Sequence, residues 1–178
     1  MAPRAELVVL VDTDGNPVGT EEKSTVHTAH TPLHLAFSTH VFNPEGQILV
    51  TRRALGKLTW PGVWTNSFCG HPGPGESTPD AAVRRARREL GLALAPEDLT
   101  LRLPDFRYRA VDASGIVENE ICPVYTALTD ANPVPAADEV MDWKWTDPRD
   151  LAEAGRLTPW AFSPGLVLQL PLLYPAAR

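Results

Sequence analysis

One sharply delimited helix stands between two strand–turn–strand patterns, and this order constrains the fold of the chain more than any other feature. Ser77 offers a capping hydroxyl, Pro79 suits the first turn of a helix, and Gly91 supplies a stop. These signals predict a helix over residues 79–90. Its apolar stripe is thin, because arginines and Glu89 occupy most of the helix surface.

The flanking patterns predict two β-hairpins. In the first, residues 35–42 and 47–51 enclose the turn cluster 43–46; in the second, residues 105–110 and 116–127 enclose the turn cluster 112–115. Three further strands are predicted at residues 7–11, 66–71 and 141–145. Strands that are joined partly by hairpins and interleaved with few helices indicate an α/β (α+β) layered domain with a mixed β-sheet.

The C-terminal third has helical signals of its own. Asp147-Pro148 predicts the start of a short helix that Gly155 closes, and an amphipathic stretch is predicted from about Trp160 to Leu173. A length of 178 residues suits one domain, residues 1–178, with a single core.

Charge and cysteine content exclude several classes of protein. The formal net charge is −6, whereas a nucleic-acid or membrane-surface binder carries a basic footprint, so neither partner is expected. Two cysteines, Cys69 and Cys122, are too few for a disulfide framework, and the N-terminal apolar run is too short for a signal peptide. A reducing cytoplasm is the expected location. Cys122 is interpreted as a small buried residue.

Several side chains have the chemistry and spacing of a metal site. Glu118 and Glu120 are two residues apart on a predicted strand and therefore share a face, as do Cys69 and His71 on another. Paired carboxylates also occur on solvated faces, and most histidines are surface or hydrogen-bonded residues, which is the interpretation given to His30 and His40. The spacing itself leaves His27 and His34 undecided.

The predicted helix and the loop before it keep part of the Nudix box, a motif that presents acidic residues to Mg²⁺ on a diphosphate. The frame is retained by five residues: Gly70, Glu76, Arg84, Glu89 and Gly91. Two positions that hold acids in the motif are Arg85 and Arg88 here. A hydrolase needs several of those carboxylates to bind metals and activate water. Arginines suit the binding of a diphosphate better than its cleavage.

Seven longer blocks, in order along most of the chain, resemble the type 1 isopentenyl-diphosphate isomerases, which belong to the Nudix superfamily. The blocks are HLAFS at 34–38, TRRAL at 51–55, WPGVWTN at 60–66, CGHP at 69–72, FRYRA at 106–110, GIVENE at 115–120 and TPWAFSP at 158–164. Two positions depart from the family pattern, with Gly165 where an aromatic is common and His30 where an acid is common. The resemblance implies a Nudix-like mixed β-sheet sandwiched by helices.

The resemblance also implies the roles of particular residues. A divalent metal (Mn²⁺, Mg²⁺ or Zn²⁺) would be held by His27, His34, His71, Glu118 and Glu120. Cys69 and Glu120 would be an acid–base pair on opposite faces of the substrate, with Tyr108 assisting near Glu120 and Trp160 closing over the hydrocarbon. The diphosphate would bind Lys23, Arg53, Lys57 and Arg85, and a second Mg²⁺ would bridge it to Glu89 and the backbone carbonyl of Cys69. No flavin is expected.

The implied activity is the interconversion of isopentenyl and dimethylallyl diphosphate, in isoprenoid biosynthesis. A small-molecule substrate is therefore the expected partner, and the protein is expected to be a monomer or weak dimer. Two alternatives remain at this point. One is a Nudix diphosphate hydrolase, against which the missing acids argue, and the other is a catalytically silent diphosphate-binding module, which would require neither Cys69, Tyr108 nor Glu120.

Overall fold

Two β-sheets with helices packed on them make up the computed structural model, which describes residues 6–175. The strands are β1 Leu7–Val11, β2 Pro17–Glu22, β3 His34–Leu35, β4 Phe37–Phe42, β5 Ile48–Arg53, β6 Trp64–Thr65, β7 Phe68–Gly70, β8 Thr100–Leu103, β9 Arg107–Val111, β10 Val117–Ile121, β11 Val124–Leu128 and β12 Val140–Thr146. The helices are α1 Lys23–Val26, α2 Thr78–Leu90, α3 Pro148–Leu157 and α4 Pro164–Leu173, with 3₁₀ turns at Pro96–Asp98 and Pro159–Ala161. The predicted mixed α+β architecture is confirmed.

Each sheet contains one parallel pair of strands. The five-stranded sheet has the order β2-β1-β3-β10-β9, and the path β12-β5-β4-β11-β8 of the seven-stranded sheet carries β6 on β5 and β7 on β4. Strands β3 and β10 pair in parallel in the first sheet, and β4 and β11 do so in the second. Residues 34–42 form β3 and β4, and residues 117–128 form β10 and β11. Each of these two stretches of chain thus contributes one strand to each sheet, and in both sheets the two strands are neighbours.

The prediction of one strand over residues 116–127 was wrong, because the chain changes sheets at Cys122-Pro123. Pro123 has no N–H to donate to a ladder, which favours a break at this point. The amide of Ala36 donates to Ile121 O over 2.9 Å and that of Ser38 to Pro123 O over 3.1 Å, so the two crossing stretches remain hydrogen-bonded through the change. Residues 35–42 are likewise divided, between β3 and β4.

The predicted hairpin of β9 and β10 is confirmed. Of the other predicted hairpin, the turn is formed, but its two strands pair with each other at one position. Strands β4 and β5 are joined by the predicted turn, in which Gly46 N–H donates to Asn43 O over 3.0 Å. They pair only at Phe42 and Ile48, because β5 continues alongside β12 and β4 alongside β11 and β7. The predicted strand 66–71 is shorter than expected and covers Phe68–Gly70.

Helix α2 begins and ends as its caps predict. The Ser77 side chain accepts from the amide of Asp80, and Gly91 adopts φ 63°, the left-handed conformation typical of a helix C-terminus. Its alanines pack into the core against Phe37 and Phe68. A side chain at Gly70 would place its Cβ 2.9 Å from Cγ of Arg85, so this glycine lets the helix lie close to β7.

Helices α3 and α4 differ from their predicted forms. Gly155 does not close α3, which continues to Leu157; a Cβ at Gly155 would lie 2.7 Å from Cδ1 of Leu170, so the glycine allows α3 and α4 to pack closely. Helix α4 was predicted to be amphipathic, but its single polar side chain, Gln169, is buried, whereas Leu168 and Leu172 are exposed.

The predicted strands at residues 7–11 and 141–145 are confirmed as β1 and β12. Between residues 6 and 175, every helix falls short of the length and apolar character that a bilayer crossing demands. The expectation that residues 1–5 begin no signal peptide lies outside the described residues. The assignment of residues 1–178 to one domain stays a prediction.

Candidate active site and metal centre

A cavity of about 710 Å³ is lined by residues of both sheets. The five-stranded sheet contributes Tyr108, Glu118 and Glu120, and the seven-stranded sheet contributes Cys69, followed by His71. Helices α2 and α4 and the loop 54–62 form other parts of its wall. Most of the residues predicted from the sequence to act in catalysis or binding therefore border one space.

Three histidines and one carboxylate converge at this cavity. His27, His34, His71 and Glu120 each offer a ligand atom, and all four atoms lie within 4.8 Å of one another. Nε2 of His71 lies 3.2 Å from Oε1 of Glu120 and 3.3 Å from Nε2 of His34. Nε2 of His34 lies 3.6 Å from the same carboxylate oxygen. The residues come from four separate parts of the chain, namely the ends of α1 and β7 and the strands β3 and β10, so their convergence is a property of the fold.

The donor set fits a divalent cation. Two ligands that are each about 2.1 Å from a tetrahedral ion are about 3.4 Å apart, which is close to the separations of His34, His71 and Glu120. Nδ1 of His34 lies 2.9 Å from the carbonyl of Pro32, an arrangement that keeps a hydrogen on Nδ1 and leaves the Nε2 lone pair free for a metal. Three imidazoles with a carboxylate suit Zn²⁺, Mn²⁺ or Fe²⁺.

The electrostatics of three of the four side chains agree with a ligand role. Burial, followed by the charges of His71 and His34, lowers the pKa of His27 to about 4, and burial also lowers the pKa of His71. Burial opposes ionisation of Glu120, but hydrogen bonds from His34 and His71 outweigh it and lower the pKa of this carboxyl. At neutral pH His27 and His71 are therefore neutral imidazoles beside an ionised carboxylate, which are the forms that bind metals. Burial also opposes protonation of His34, but the hydrogen bond and the charge of Glu120 outweigh it and raise the pKa of this imidazole.

Glu118 lies on the same strand face as Glu120 but outside this group of ligand atoms. Its Oε1 accepts from the hydroxyl of Thr59 over 2.7 Å, and its Oε2 accepts from the hydroxyl of Tyr108 over 2.6 Å. Burial and the charge of Glu120 raise the pKa of Glu118. The role of Glu118 as a fifth ligand stays a prediction, and Tyr108 is hydrogen-bonded to Glu118 rather than to Glu120.

Cys69 faces the cavity from β7, as does His71 just beyond the end of that strand. Burial, followed by the charge of Glu89, raises the pKa of the Cys69 thiol to about 12. The thiol is therefore protonated at neutral pH. Cys122 is buried beside the same cavity, as predicted for a small core residue.

Three basic residues that border another part of the cavity are each paired with an acid. Lys23 pairs with Glu6 at 3.0 Å, and Lys57 pairs with Glu139. Arg85 pairs with Glu89 on its own helix and lies 3.4 Å from Glu139. Burial raises the pKa of Glu89, although the charge of Arg85 opposes this. An anionic group bound here competes with these acids or shares a cation with them.

Two predicted residues are placed differently from expectation. Arg53 lines the cavity, but its Nε and Nη2 donate to the carbonyl of Thr59, at 3.1 and 2.8 Å, and thereby support the loop 54–62. Trp160 is 80% exposed, and the structure does not place it among the residues that line the cavity. Its closure over a substrate stays a prediction.

Sequence reasoning missed three residues of the site: Thr59, Glu139 and Gln169. All three line the cavity. Thr59 sits in a loop between the blocks 51–55 and 60–66 but in neither of them, Glu139 sits in a loop far from any block, and Gln169 stands in an otherwise apolar helix. The isolated polar residue in α4 is the one signal that the sequence offers.

Comparisons with known proteins agree with this geometry. The NUDIX domain family matches residues 32–166. The structure of DR0079 from Deinococcus radiodurans superposes with a TM-score of 0.73 at 21% identity, over 95% of this chain and 99% of that one. A MutT NUDIX hydrolase from Burkholderia pseudomallei gives a TM-score of 0.61 at 23% identity, over 79% and 98%. The fold and the matched family define a NUDIX-domain protein.

Proteins of similar sequence show which family of NUDIX-domain proteins the chain belongs to. The isopentenyl-diphosphate Delta-isomerase of Leifsonia xyli is 62% identical over 99% of this chain and 96% of its own length. Proteins of the same name from Clavibacter sepedonicus and Escherichia coli are 64% and 55% identical, over 98% and 93% of this chain and 91% and 90% of their own lengths. The chain therefore belongs to the isopentenyl-diphosphate Delta-isomerase family of the NUDIX superfamily.

Proposed function

We propose that the protein interconverts isopentenyl diphosphate and dimethylallyl diphosphate by moving protons on the C5 chain. Identity of 55–64% to isopentenyl-diphosphate Delta-isomerases over nearly the whole chain carries this proposal. Its support in the structure is that Cys69 and Glu120 border one cavity from two different sheets. An acid and a base that flank one carbon skeleton are what the reaction requires.

The proposed reaction adds one proton and removes another. Protonation of the terminal CH₂ of the alkene uses the π electrons and leaves a tertiary cation. Loss of a proton from the neighbouring CH₂, on the diphosphate side, returns that electron pair as the new double bond. The cavity offers Cys69 in its protonated form and Glu120 in its ionised form, so one group can give a proton and the other can accept one.

The histidine cluster has a supporting role in this proposal. A divalent cation held by His27, His34, His71 and Glu120 would supply positive charge beside the Glu120 carboxylate and fix its orientation. Tyr108 and Thr59 hold Glu118 nearby by hydrogen bonds to both of its oxygens. We propose Mn²⁺, Mg²⁺ or Zn²⁺ as the ion.

The diphosphate is proposed to bind at the basic side of the cavity. Lys23, Lys57 and Arg85 each lie beside an acid there, and Arg53 borders the same space. A Mg²⁺ bound with the diphosphate would be shared with Glu89 and the carbonyl of Cys69. Contacts to this remote group supply the energy that positions the hydrocarbon between the proton-transfer residues.

Trp160 is proposed to close over the hydrocarbon when substrate is bound. Its ring face would stabilise positive charge, by about 2 kcal/mol when desolvated. It lies in the 3₁₀ turn Pro159–Ala161, directly before Phe162, which bridges to Trp64, and Ser163, whose amide donates to Trp64 O over 2.8 Å. Closure therefore involves a short segment anchored beside the cavity.

The test is incubation of the purified protein with isopentenyl diphosphate and Mg²⁺, followed by ³¹P and ¹H nuclear magnetic resonance. We expect dimethylallyl diphosphate to form without release of phosphate and without added flavin. Release of phosphate alone would identify the protein as a diphosphate hydrolase. Tight binding with neither product would instead identify a silent binding module.

A further inference from the structure

The carboxamide of Gln169 is oriented by two buried donors. Its Oε1 accepts from the hydroxyl of Ser38 over 3.0 Å and lies 2.8 Å from Nε2 of His40. Burial lowers the pKa of His40 to about 4, so this imidazole is neutral at pH 7. Nδ1 of His40 has no hydrogen-bond partner among residues 6–175. Because an unpaired lone pair on this nitrogen costs less free energy than an unpaired N–H, the hydrogen of the neutral ring is on Nε2. The Gln169 oxygen is therefore the end that faces β4.

The nitrogen of the same carboxamide is left without an acceptor. Gln169 is only 2% exposed and lines the cavity, and its amide nitrogen donates to no residue among those from 6 to 175. The fully buried side-chain atoms without a partner in residues 6–175 do not include this nitrogen, so it keeps access to the cavity, where a ligand or water can accept from it. The side chain thus presents a hydrogen-bond donor to the cavity.

Gly165 lines the cavity on the same face of α4, one helical turn before Gln169. A Cβ at this position would lie 3.4 Å from the ring and 3.5 Å from the hydroxyl oxygen of Tyr108, which is ordinary contact, and its φ is outside the left-handed region. Neither packing nor backbone conformation therefore requires glycine, in contrast to Gly155. The missing side chain enlarges the cavity beside Tyr108.

These two positions border the part of the cavity that the proposed function assigns to the hydrocarbon. Ser38, which holds Gln169, is the register partner of Cys69 between β4 and β7, and Gly165 faces Tyr108. Helix α4 contributes no charged side chain to the cavity. A group that binds against this face is consequently neutral and accepts a hydrogen bond.

We propose that Gly165 and Gln169 form a subsite for a hydroxyl group on the hydrocarbon end of a C5 diphosphate. The Gln169 amide would donate to the hydroxyl oxygen, and the space at Gly165 would accommodate it. The hydroxyl can in turn donate to the oxygen of Tyr108, whose own hydrogen is directed to Glu118. This inference rests on the proposed function for the class of substrate and extends it to hydroxylated C5 chains.

The test compares two probes that differ in one group: dimethylallyl diphosphate with a hydroxyl on one terminal methyl, and the same compound with a methyl in place of that hydroxyl. Equilibrium binding of each to the metal-loaded protein is measured by calorimetry with Mg²⁺. We expect the protein to bind the hydroxyl compound at least about tenfold more tightly, because a site built to hydrogen-bond a group discriminates against its apolar analogue.

Two variants test the two parts of the subsite, which are the amide donor of Gln169 and the space at Gly165. Gln169→Leu is expected to abolish the preference for the hydroxyl compound, but it also leaves Ser38 and His40 without an acceptor and lowers stability. Gly165→Val leaves those donors paired and fills the space, so it is expected to weaken both probes at least about tenfold. Leu168→Gln, on the exposed side of α4, is the matched control and is expected to bind both probes as the parent protein does.

Equal affinity of the parent protein for the two probes would overturn the proposal, since Gln169 would then hold only a water molecule. Failure of both probes to bind would also overturn it. Affinity and isomerisation are measured separately, so the two proposals fail separately. A retained hydroxyl preference without isomerisation would contradict only the proposed function, and isomerisation without the preference would contradict only the subsite.

Discussion

The hydroxyl of Tyr108 donates to Glu118 over 2.6 Å, although the residue directly opposite Tyr108 in the β9–β10 ladder is Glu120. Both carboxylates lie on the same strand face as the phenol, and the ladder alone would favour the nearer Glu120. Burial, together with the charges of Glu120 and Glu118, raises the pKa of Tyr108 well above its usual value. Tyr108 consequently keeps its proton and acts as a donor to Glu118.

Replacement of Tyr108 by Phe should lower both stability and turnover. Loss of one donor to a buried carboxyl costs about 1–3 kcal/mol in the free energy of unfolding, which denaturant titration measures. Turnover of isopentenyl diphosphate should fall about tenfold or more, because Glu118 is then held by Thr59 alone. Tyr125→Phe is the control, since the Tyr125 hydroxyl pairs with Thr78 outside the cavity. Equal losses of turnover in the two variants would refute a specific role of Tyr108.

Cys69→Ala and Glu120→Gln should each reduce isomerisation at least about a thousandfold, the scale expected for removal of a proton-transfer group. Rates are measured with saturating isopentenyl diphosphate, and metal content is determined for each variant because Glu120 is also a candidate ligand. Cys122→Ala removes a second thiol beside the same cavity and should retain turnover within about tenfold. Near-normal rates in either of the first two variants would remove that residue from the mechanism.

Removal of metal should lower the melting temperature as well as the activity. A ligand that binds only the folded protein stabilises it by RT ln(1 + [L]/Kd), so chelation removes that contribution. The shift should disappear in His34→Gln, which lacks one buried ligand, and persist in His30→Gln, which changes an exposed histidine outside the cluster. A melting curve that chelation leaves unchanged in the parent protein would show that no metal supports the fold.

Alkylation of Cys69 should depend steeply on pH. With a pKa of about 12, the thiolate fraction of Cys69 rises about tenfold for each pH unit between 8 and 10. Labelling by iodoacetamide in the metal-free protein, followed by mass spectrometry, should be at least about a hundredfold slower at pH 8 than for free cysteine, whose pKa is about 8.5. Rapid labelling at pH 7 would place the pKa near its ordinary value and assign the thiolate to the resting state.

The same pKa shift has a defined effect on stability. The pKa of Cys69 is raised on folding, so above pH 9 the folded chain binds more protons at this thiol than the unfolded chain does. The contribution of Cys69 to the free energy of unfolding is therefore complete at neutral pH and is lost as the pH rises from about 9 towards 12. Cys69→Ala should reduce this alkaline loss.

The sequence predicts the elements of this fold whose signals are local. Helix α2 has its cap at Ser77 and its stop at Gly91, and the β9–β10 hairpin has its turn residues, so the helix and the turn of the hairpin appear where they are predicted. The division of residues 116–127 between two sheets depends on pairing with β3 and β4, far away in the chain. The hydrophobic pattern of residues 116–127 does not indicate this division.

The candidate ligands His27, His34, His71 and Glu120 are predicted through the resemblance to the isomerase family, because their spacing alone leaves His27 and His34 undecided. Which carboxylate turns towards the cluster is a matter of competing hydrogen bonds, and Thr59, which holds Glu118, has no feature in the sequence that marks it. Gln169 was hidden by the apolar residues around it, although its isolation in α4 was visible.

The paired passage of two stretches of chain from one sheet into the other also determines how the cavity can move. Ala36 and Ser38 remain hydrogen-bonded to Ile121 and Pro123 where the two stretches pass from one sheet to the other. A sliding motion of one sheet past the other would therefore break the hydrogen bonds between these stretches. The connection between the sheets therefore holds Cys69 and Glu120, which lie on different sheets, at a set distance also without substrate. Closure over a substrate is therefore expected in the loop 54–62 and in the turn that carries Trp160 rather than in the sheets.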